Sequence, residues 1–440
     1  MHLFSSPARL AALLTLGLLA GSTQASVLDY VKKPDDAFKW TLKAKREIAG
    51  TRVYEIELTS QKWQSIVWKH DLVVLLPAKV EPTATMFLWN QGGKASTGSL
   101  LLANNLATRM QAPVAFLYGI PNQPLFDGLK EDALIAETFV RYLSTKDADW
   151  PLLFPMVKSL VRAMDALQAF AKDEWKKEVK SFVVAGASKR GWTTWLTGAA
   201  DSRVKAIIPM VIDTLNFMKQ MPYQVESYGT YSEQIVDYTR RKLAPPPKTP
   251  DAQKLWQMVD PWIYRDRITM PKLILNGAND PYWTQDALNL YWDDLVGDKW
   301  VCYVPNAGHN LQQKDENGNA NMNRAVGAIA SFARAYIHDK ALPKVEWKHE
   351  KNGTKFLLNV KSDQVPKAVR LWSADASTRD FRKSTWKAQD IKDPGKAITA
   401  EVAPPETGCR VFFVECEYDL DGQRCYLSTQ MRIVGTPEKK

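Results

Sequence analysis

One stretch near the middle of the chain, residues 183–192, constrains the fold more than any other part of the sequence. It reads Val-Val-Ala-Gly-Ala-Ser-Lys-Arg-Gly-Trp, an apolar run that ends in small residues before a serine. The pattern predicts a buried strand, a tight turn carrying Ser188 and the start of a helix, because Gly186 and Ala187 leave room for a sharp bend. Such a turn exposes the Ser188 hydroxyl above a sheet edge, where the backbone N–H of Lys189 faces a developing oxyanion.

Two later predicted strands end in residues that complete this chemistry. Residues 271–277 form an apolar run that is followed by Asp280, and residues 300–304 form the next run, which is followed by His309. The chain order Ser, Asp, His is that of α/β-hydrolases, in which the acid orients the histidine and the histidine accepts the serine proton. The sequence therefore predicts a catalytic triad of Ser188, Asp280 and His309.

The histidine and the acid of this triad both have competitors. The chain has five histidines, and only His309 follows a predicted strand after both Ser188 and Asp280. A histidine on a surface loop is the plain alternative. Asp213 also ends a predicted strand, and some hydrolases take their acid from that place. Asp280 is preferred because it follows the strand immediately before the His309 strand.

A glycine pair follows an earlier predicted strand, residues 85–89. The loop after this strand usually supplies the second oxyanion-hole donor of an α/β-hydrolase, and glycine lets a backbone N–H approach the substrate oxygen. Gly92 and Gly93, together with Lys189, are therefore the candidate oxyanion hole. A plain turn is the alternative interpretation of the glycine pair.

Strands that alternate with helices predict a mostly parallel sheet covered on both faces. We expect residues 26–342 to form an α/β-hydrolase domain. An insertion at about residues 214–270, rich in Met, Tyr, Trp and Gln, lies between two predicted strands, where this fold carries its lid. The insertion is expected either to roof the Ser188 pocket or to pack on the sheet as ordinary helices.

The pattern changes after Pro343 to short alternating strands. Residues 343–440 are therefore predicted to form a separate β-sandwich, immunoglobulin-like in outline, that contains no catalytic constellation.

The C-terminal cysteines allow a disulfide prediction. Cys416 and Cys425 flank residues 419–422, whose Asp-Leu-Asp-Gly sequence is typical of a hairpin. A four-residue loop there would place the two cysteines opposite each other, which predicts a bridge between them. Cys302 lies on an apolar strand, where a buried thiol is one interpretation, and the pairing of Cys302 and of Cys409 stays open.

The N-terminus has the pattern of a secretory signal. Arg9 precedes an apolar run over residues 10–20, and the small residues 21–25 suit signal peptidase. We expect cleavage of residues 1–25 and export to the periplasm or the medium. The apolar run is shorter than the roughly 20 residues that a spanning helix needs, so no transmembrane segment is expected.

Charge and motif content exclude several other classes. The net charge of +10 comes from basic residues interleaved with acids, without an aromatic–basic nucleic-acid motif. This pattern is typical of a solvated surface that favours anionic envelope surfaces, and no nucleic-acid partner is expected. Cys/His spacings do not resemble a zinc site. Residues 315–321 resemble a calcium loop, but Ala320 and Val326 replace its glycine and glutamate. No metal or cofactor is predicted.

Several segments together resemble one protein family. They are Gly-Ala-Ser-Lys-Arg-Gly-Trp at residues 186–192, Glu-Asp-Ala-Leu-Ile-Ala at 131–136, Val-Ile-Asp-Thr-Leu-Asn at 211–216 and Asn-Ala-Gly-His at 306–309. The chain is similar to the PhoPQ-activated pathogenicity-related protein family. The resemblance implies an exported bacterial α/β-hydrolase-like protein with a β-rich tail, associated with envelope stress and virulence.

The serine turn departs from the Gly-x-Ser-x-Gly pattern, because Arg190 stands where the second glycine is expected and Gly191 follows it. The resulting Gly-x-Ser-x-x-Gly spacing resembles glucuronoyl esterases and weakens a lipase-type assignment.

The predicted function is that of an exported serine hydrolase that cleaves an ester or peptide bond in a small-molecule or peptide substrate. Arg190, Trp192 and Trp283 are the candidate substrate-binding residues. Arg190 is expected either to bind a substrate carboxylate or to be a surface cation on the nucleophile helix. The alternative function is non-catalytic binding on a hydrolase scaffold, because a fold alone does not establish activity.

Overall fold

A continuous β-sheet runs through the computed structural model, which describes residues 26–315 and 317–438. The predicted signal segment, residues 1–25, lies outside the described residues. The first part of the sheet contains β1 (Lys39–Ile48), β2 (Thr51–Trp63), β3 (Ile66–Pro77), β4 (Thr85–Asn90), β5 (Val114–Leu117), β6 (Ser181–Ala187), β7 (Val204–Met210), β8 (Lys272–Gly277) and β9 (Lys299–Val304).

Helices connect and cover these strands. They are α1 (Val27–Lys32), α2 (Thr97–Met110), α3 (Glu131–Thr145), α4 (Leu153–Trp175), α5 (Lys189–Ala200), α6 (Phe217–Tyr228), α7 (Val236–Arg240), α8 (Pro250–Val259) and α9 (Asn323–Ile337). In the part of the chain that the structure describes, none of the helices has the length and apolar character needed to cross a membrane.

Parallel pairing dominates the centre of the sheet. The spatial order is β1-β2-β3-β5-β4-β6-β7-β8-β9, with antiparallel pairs up to β5 and parallel pairs from β5 to β9. Every residue of β4, β5 and β8 is buried, as expected of strands with helices on both faces. The carboxyl ends of β6, β8 and β9 therefore share one sheet edge, which brings the loops of Ser188, Asp280 and His309 together. The predicted mixed α/β class is confirmed.

Two hydrophobic cores lie on opposite faces of this sheet. Successive strand residues alternate between them: Val184 packs in the core with Leu167 of α4, whereas Val183 packs in the core with Leu106 of α2 and Phe332 of α9. The alternation follows from the strand geometry, which points neighbouring side chains to opposite faces. A continuous apolar run such as that of β6 is therefore required of a strand covered on both sides.

The residues between β7 and β8 form a helical insertion over the sheet edge. It contains α6, α7, α8 and 3-10 helices at Glu233–Ile235 and Pro261–Arg267. The Asp260 carboxylate accepts the backbone N–H groups of Asn216 over 3.2 Å and Phe217 over 2.8 Å, which ties the start of the insertion to its end. The same region also supplies residues that line the cavity at Ser188.

The C-terminal residues that the structure describes form ten strands. They are β10 (Gln313–Lys314), β11 (Ala320–Asn321), β12 (Val345–Asn352), β13 (Lys355–Ser362), β14 (Ala368–Ala376), β15 (Lys387–Ile391), β16 (Ala397–Val402), β17 (Gly408–Leu420), β18 (Gln423–Ser428) and β19 (Arg432–Thr436). Among the described residues, β10 and β11 pair only with each other, and β12, β13 and β16 make a separate small sheet. Strands β14, β15, β17, β18 and β19 belong to the large sheet, because β18 pairs with β9 and the sheet continues as β9-β18-β17-β14-β15.

This continuity differs from the predicted separate immunoglobulin-like domain. Ser428 of β18 lies opposite Val301, and its hydroxyl accepts the N–H of Tyr303 over 3.1 Å. Strand β9 is therefore paired with β18 at one position, which protects part of an edge that would otherwise be open to association. The sequence-based division after residue 342 cuts through one sheet, because alternation of apolar residues predicts strands but not their partners.

The predicted Cys416–Cys425 bridge is wrong. Leu420 pairs with Gln423, so the hairpin loop contains two residues, Asp421 and Gly422, instead of the predicted four. Both loop residues have positive φ. Cys416 then lies opposite Leu427 and Cys425 lies opposite Tyr418. Both cysteines are free and buried, as are Cys302 and Cys409.

Candidate active site

Ser188 occupies the turn between β6 and α5. Its backbone has φ 58° and ψ −128°, a combination that non-glycine residues rarely adopt, and its N–H donates to the carbonyl of Met210 over 2.8 Å. A Cβ on Gly186 would lie 2.3 Å from Asn90 Nδ2 and 2.6 Å from the carbonyl oxygen of Arg190. Glycine is therefore required before the turn, and close packing holds the strained serine.

His309 and Asp280 lie side by side at the same sheet edge. His309 Nδ1 is 2.8 Å from Asp280 Oδ2, and Asp280 Oδ1 accepts the N–H of Tyr282 over 2.9 Å. The Tyr282 ring stacks on the imidazole, with the ring centroids 4.2 Å apart. Because a carboxylate only accepts hydrogen bonds, Nδ1 carries the proton and Nε2 is the basic nitrogen of the neutral ring.

The loops that carry these two residues are in backbone contact. Asn279 N–H donates to the carbonyl of Ala307 over 2.9 Å. A Cβ on Gly277 would lie 2.3 Å from the carbonyl oxygen of Gly308, so only glycine allows this approach. The relative position of Asp280 and His309 is therefore set by the backbone of both loops.

Asp213, the competing acid, has other partners. One of its oxygens accepts Asn276 Nδ2 over 2.8 Å and the other accepts the hydroxyl of Tyr291. Burial raises the pKa of Asp213 to about 7, against the opposing effect of these hydrogen bonds. The acid in contact with His309 is Asp280, whereas Asp213 belongs to a neighbouring buried polar group.

A small, partly open cavity of about 30 Å³ lies against Ser188 and His309. Its walls are mainly aromatic and aliphatic, and Phe217 and Trp256 stack there with centroids 3.8 Å apart. The residues that the insertion contributes are Thr214, Phe217, Ile235, Tyr238 and Trp256. The insertion therefore roofs the Ser188 cavity, the first of the two arrangements considered for it.

Arg190 does not take either of its predicted positions. Its guanidinium binds both oxygens of Glu131 over 2.6 Å each and the carbonyl of Ile120 over 2.5 Å. Burial favours a higher pKa for Glu131, but the hydrogen bond and charge of Arg190, with Lys189, outweigh it and lower the pKa to about 2. Arg190 is a buried structural cation, neither open to a substrate carboxylate nor exposed at the surface.

Lys189 extends the same charge cluster into the cavity wall. Its ammonium lies 3.0 Å from Glu131 Oε2 and 3.0 Å from Asp132 Oδ2, and its side chain is 8 % exposed. Asp132 also accepts the hydroxyl of Tyr238 over 3.1 Å. The sequence analysis gives Glu131 and Asp132 no role. Two adjacent acids at the predicted start of a helix, and a Lys-Arg pair directly after the candidate nucleophile, are the sequence signal for these ion pairs.

The glycine pair after β4 has a different environment from the one predicted. A Cβ on Gly92 would lie 2.1 Å from Arg190 Nη2, so glycine is needed there to admit the guanidinium. Gly93 has φ 63°, and its carbonyl accepts the N–H of Gly119 over 2.8 Å. Neither glycine lines the small cavity at Ser188. Their part in an oxyanion hole, like that of the Lys189 N–H, stays a prediction.

Both candidate tryptophans line the cavity. The indole N–H of Trp192 donates to the carbonyl of Val259 over 2.6 Å, which links the nucleophile helix to the end of α8. Trp283 follows the Asp280 loop and is buried, and Tyr228 donates its hydroxyl to the carbonyl of Trp283 over 2.6 Å. Their substrate contact remains a prediction, but their position is compatible with it.

A C-terminal loop, residues 377–386, is bound to both catalytic loops. Asn279 Nδ2, next to Asp280, donates to the carbonyl of Ser384 over 2.7 Å. Asn306 Nδ2 donates to the carbonyl of Trp386 over 2.9 Å, and the Trp386 N–H donates to Asn306 Oδ1 over 2.8 Å. Sequence reasoning missed this role, because the two asparagines gave no signal of a partner so distant in the chain.

The same loop contacts the insertion. Arg379 binds the Tyr223 hydroxyl and Asp286, the latter over 3.2 Å. The guanidinium of Arg382 lies 4.0 Å from the ring centroid of Tyr228 and 3.1 Å from Glu233. The C-terminal loop therefore connects the roof of the cavity with the loops beneath it. Among residues 26–315 and 317–438, clusters of three or more His, Cys, Asp or Glu that could hold a metal ion are absent.

Solved structures that align with this chain include two acetyl xylan esterases. Acetyl xylan esterase 1 from Thermoanaerobacterium sp. JW/SL YS485 aligns with a TM-score of 0.50 and 14% identity, covering 71% of this chain and 91% of that one. An acetyl xylan esterase from Paenibacillus sp. R4 aligns with a TM-score of 0.45 and 15% identity, covering 64% and 86%. At such identity the first likeness establishes the α/β-hydrolase fold alone.

Sequence comparison gives the family. Autocrine proliferation repressor protein A of Dictyostelium discoideum is 33% identical over 449 residues, covering 93% of this chain and 89% of that protein. The family model of the PhoPQ-activated pathogenicity-related protein matches residues 27–382. This confirms the resemblance found in the sequence: the chain belongs to the PhoPQ-activated pathogenicity-related protein family.

Proposed function

We propose that the protein is a serine hydrolase that transfers the acyl group of an ester or peptide to water. Ser188 is the nucleophile, His309 the general base and Asp280 the acid that orients it. The observation that carries this proposal is the strained Ser188 turn, which shares one cavity with His309, whose Nδ1 lies 2.8 Å from Asp280.

The reaction follows from these positions. Ser188 Oγ attacks the substrate carbonyl while His309 Nε2 takes its proton. The tetrahedral oxyanion is stabilised by the N–H of Lys189 and an N–H of the Gly92–Gly93 loop. On collapse, the C–O or C–N bond breaks and His309 gives the proton to the leaving group. Water then attacks the acyl-serine with His309 again as base, which releases the acid and restores Ser188.

Covalent labelling with a fluorophosphonate tests this proposal. The wild-type protein should be labelled at Ser188 and should hydrolyse p-nitrophenyl acetate, whereas Ser188→Ala should lose both properties. The matched control is Ser144→Ala, which removes an exposed hydroxyl from α3 and should retain both. An unlabelled, folded wild-type protein would contradict the assignment.

A second candidate function is non-catalytic binding on the same scaffold. The observation that favours it is the name of the Dictyostelium discoideum relative, which describes a repressor of proliferation. If Ser188→Ala restored the phenotype of a deletion strain as fully as the wild-type gene, binding would be the physiological function. If Ser188→Ala did not restore the phenotype and Ser144→Ala did, the result would support catalysis as the physiological function.

We further propose that the chain is exported, periplasmic or secreted, with a role in envelope stress or virulence. The apolar run over residues 10–20 and the small residues up to Ala25 support export. Intact-mass analysis of the protein from its native host should give a chain that begins at Ser26. A mature protein that retains Arg9 would contradict this.

A further inference from the structure

We propose that an open cleft beside His309 binds the leaving group of the substrate, and that this leaving group is anionic. The proposal rests on the function proposed above, because it takes His309 as the residue that protonates the departing oxygen. The cleft has a volume of about 1420 Å³. One wall is the loop after β9, which includes His309, and the facing wall is residues 382–388.

The position of His309 divides the substrate between two spaces. His309 lines both the small cavity of about 30 Å³ at Ser188 and the larger, more open cleft of about 1420 Å³. Because the same imidazole accepts the serine proton and delivers it to the departing oxygen, the leaving group must reach His309. The small cavity has room for a short acyl group, so the larger part of the substrate belongs in the cleft.

The walls of the cleft are held in place before any ligand binds. Asn279 and Asn306 each line the cleft, and their amides are bonded to the backbone of Ser384 and Trp386 on the facing wall. These bonds fix the separation of the walls. A preformed site binds its ligand without the cost of ordering a loop.

Lysine charges dominate the described lining of the cleft. Lys314 lies on the His309 wall, Lys383 and Lys387 lie on the facing wall, and all three are exposed. Asp315 is the one carboxylate among the described residues of the lining. A cleft lined by one sign of charge concentrates and orients ligands of the opposite sign.

A fourth cation of the lining is already neutralised. Arg382 binds both oxygens of Asp380 over 2.8 and 2.6 Å and also contacts Glu233. The small cavity is balanced as well, because Lys189 is paired with two acids. Among the described residues, Lys314, Lys383 and Lys387 form no direct ion pair, although the charge of Lys383 also acts on Asp380. The excess positive charge of the described residues near His309 therefore lies in the cleft, and we assign the negative charge to the leaving group rather than to the acyl group.

Two acetate esters that differ in one charge test the assignment. They are 4-acetoxybenzoate, whose phenol leaving group carries a carboxylate, and its methyl ester, whose phenol leaving group carries a neutral ester. Each enzymatic rate is divided by the alkaline hydrolysis rate of the same acetate ester. At about 20 mM ionic strength, kcat/KM should favour the anionic ester at least about fivefold, and about 0.5 M NaCl should remove most of this preference.

Charge-removal variants locate the effect. In Lys383→Gln/Lys387→Gln the ratio of the two kcat/KM values should fall toward one. The matched control, Lys172→Gln/Lys177→Gln, removes the same charge from exposed positions at the end of α4 and should keep the wild-type ratio.

The outcomes distinguish the anionic leaving-group site from the proposed hydrolase function. If wild-type protein hydrolyses both esters equally, or if the control variant lowers the ratio as much as the cleft variant, the anionic leaving-group site is wrong and the hydrolase assignment stands. If neither ester nor p-nitrophenyl acetate is hydrolysed, the hydrolase assignment itself fails.

Discussion

Asn306 exchanges two hydrogen bonds with the backbone of Trp386, one donated by Nδ2 over 2.9 Å and one accepted by Oδ1 over 2.8 Å. Asn306 lies three residues before His309, and Trp386 lies 80 residues later in the chain. Together with Asn279, which binds the Ser384 carbonyl, this pair makes the C-terminal strands part of the support of the proposed catalytic loops.

We expect Asn306→Ala to lower kcat about tenfold with a smaller change in KM. Loss of two partly buried hydrogen bonds costs about 1–3 kcal/mol and frees the His309 loop from the facing segment. Steady-state kinetics and thermal unfolding give the two effects. Asn105→Ala, which removes an exposed amide from α2, is the control and should change neither. An Asn306→Ala protein with wild-type kcat would show that the C-terminal contact does not support His309.

Substitution of Asp280 and substitution of Asp213 should have different effects on turnover. Asp280→Asn should reduce kcat by about 10³–10⁴, because an amide cannot hold the imidazole in the required tautomer. Asp213→Asn should reduce it less than about tenfold, since Asp213 binds Asn276 and Tyr291 instead. Both variants are compared at equal folded fraction by circular dichroism. The reverse order of effects would transfer the role to Asp213.

Glu131 makes folding sensitive to acid. Its pKa is about 2, below the ordinary value of 4.5, so its contribution to stability is complete above about pH 4.5 and is lost as the pH falls toward 2. At pH 7, Glu131→Gln should lower the free energy of unfolding by about 2 kcal/mol, less than a fully buried pair because the Glu131 side chain is 41 % exposed.

Urea unfolding at several pH values measures this. The difference between wild type and Glu131→Gln should narrow from pH 5 to pH 3. Glu137→Gln, on the same helix and paired with Arg141 four residues on, should cost less than about 0.5 kcal/mol at pH 7. A constant difference at all pH values would mean that the Glu131 carboxylate contributes no charge effect.

Reducing agent should leave the melting temperature unchanged. The four cysteines are free and buried, and burial raises the pKa of Cys416 and of Cys425 to about 12, which suppresses the reactive thiolate. A thiol reagent should therefore react slowly with folded protein and with four thiols after unfolding. Two reactive thiols instead of four in the unreduced, unfolded protein would show that a disulfide is present.

Local sequence patterns predicted those parts of the structure that local geometry controls. The small residues around Ser188 fit only a tight turn, and a long apolar run such as β6 must be a covered strand. The chain order of Ser188, Asp280 and His309 placed them on loops that the parallel sheet brings to one edge. These inferences depend on backbone sterics and on the pleat of a strand.

Features that depend on distant partners were not predictable in the same way. The sequence does not show that Glu131 lies beside Arg190, so it predicts contact with substrate or solvent for a side chain that is buried in an ion pair. The predicted hairpin loop has four residues, whereas the observed loop has only Asp421 and Gly422. The shorter loop changes the register of the two strands, so Cys416 and Cys425 are not opposite each other. Likewise, alternation indicates β18 but not its pairing with β9, so the sequence does not predict that the large sheet continues into the C-terminal residues.

The size of the Ser188 cavity predicts a preference for short acyl groups. One water needs about 10–15 Å³, so a cavity of about 30 Å³ admits an acetyl or propionyl group but not an octanoyl chain. Wild-type kcat/KM should be at least about 100-fold higher for p-nitrophenyl acetate than for p-nitrophenyl octanoate.

Substitutions in the cavity wall test this explanation of the preference. Trp256→Ala removes one stacked ring of the wall and should reduce the acetate-to-octanoate ratio at least about tenfold. If Trp256→Ala does not fold, Ile235→Ala repeats the test. Trp262→Ala, in the same insertion but outside the cavity lining, is the control and should keep the wild-type ratio. Equal turnover of acetate and octanoate by the wild type would show that the acyl group does not enter this cavity.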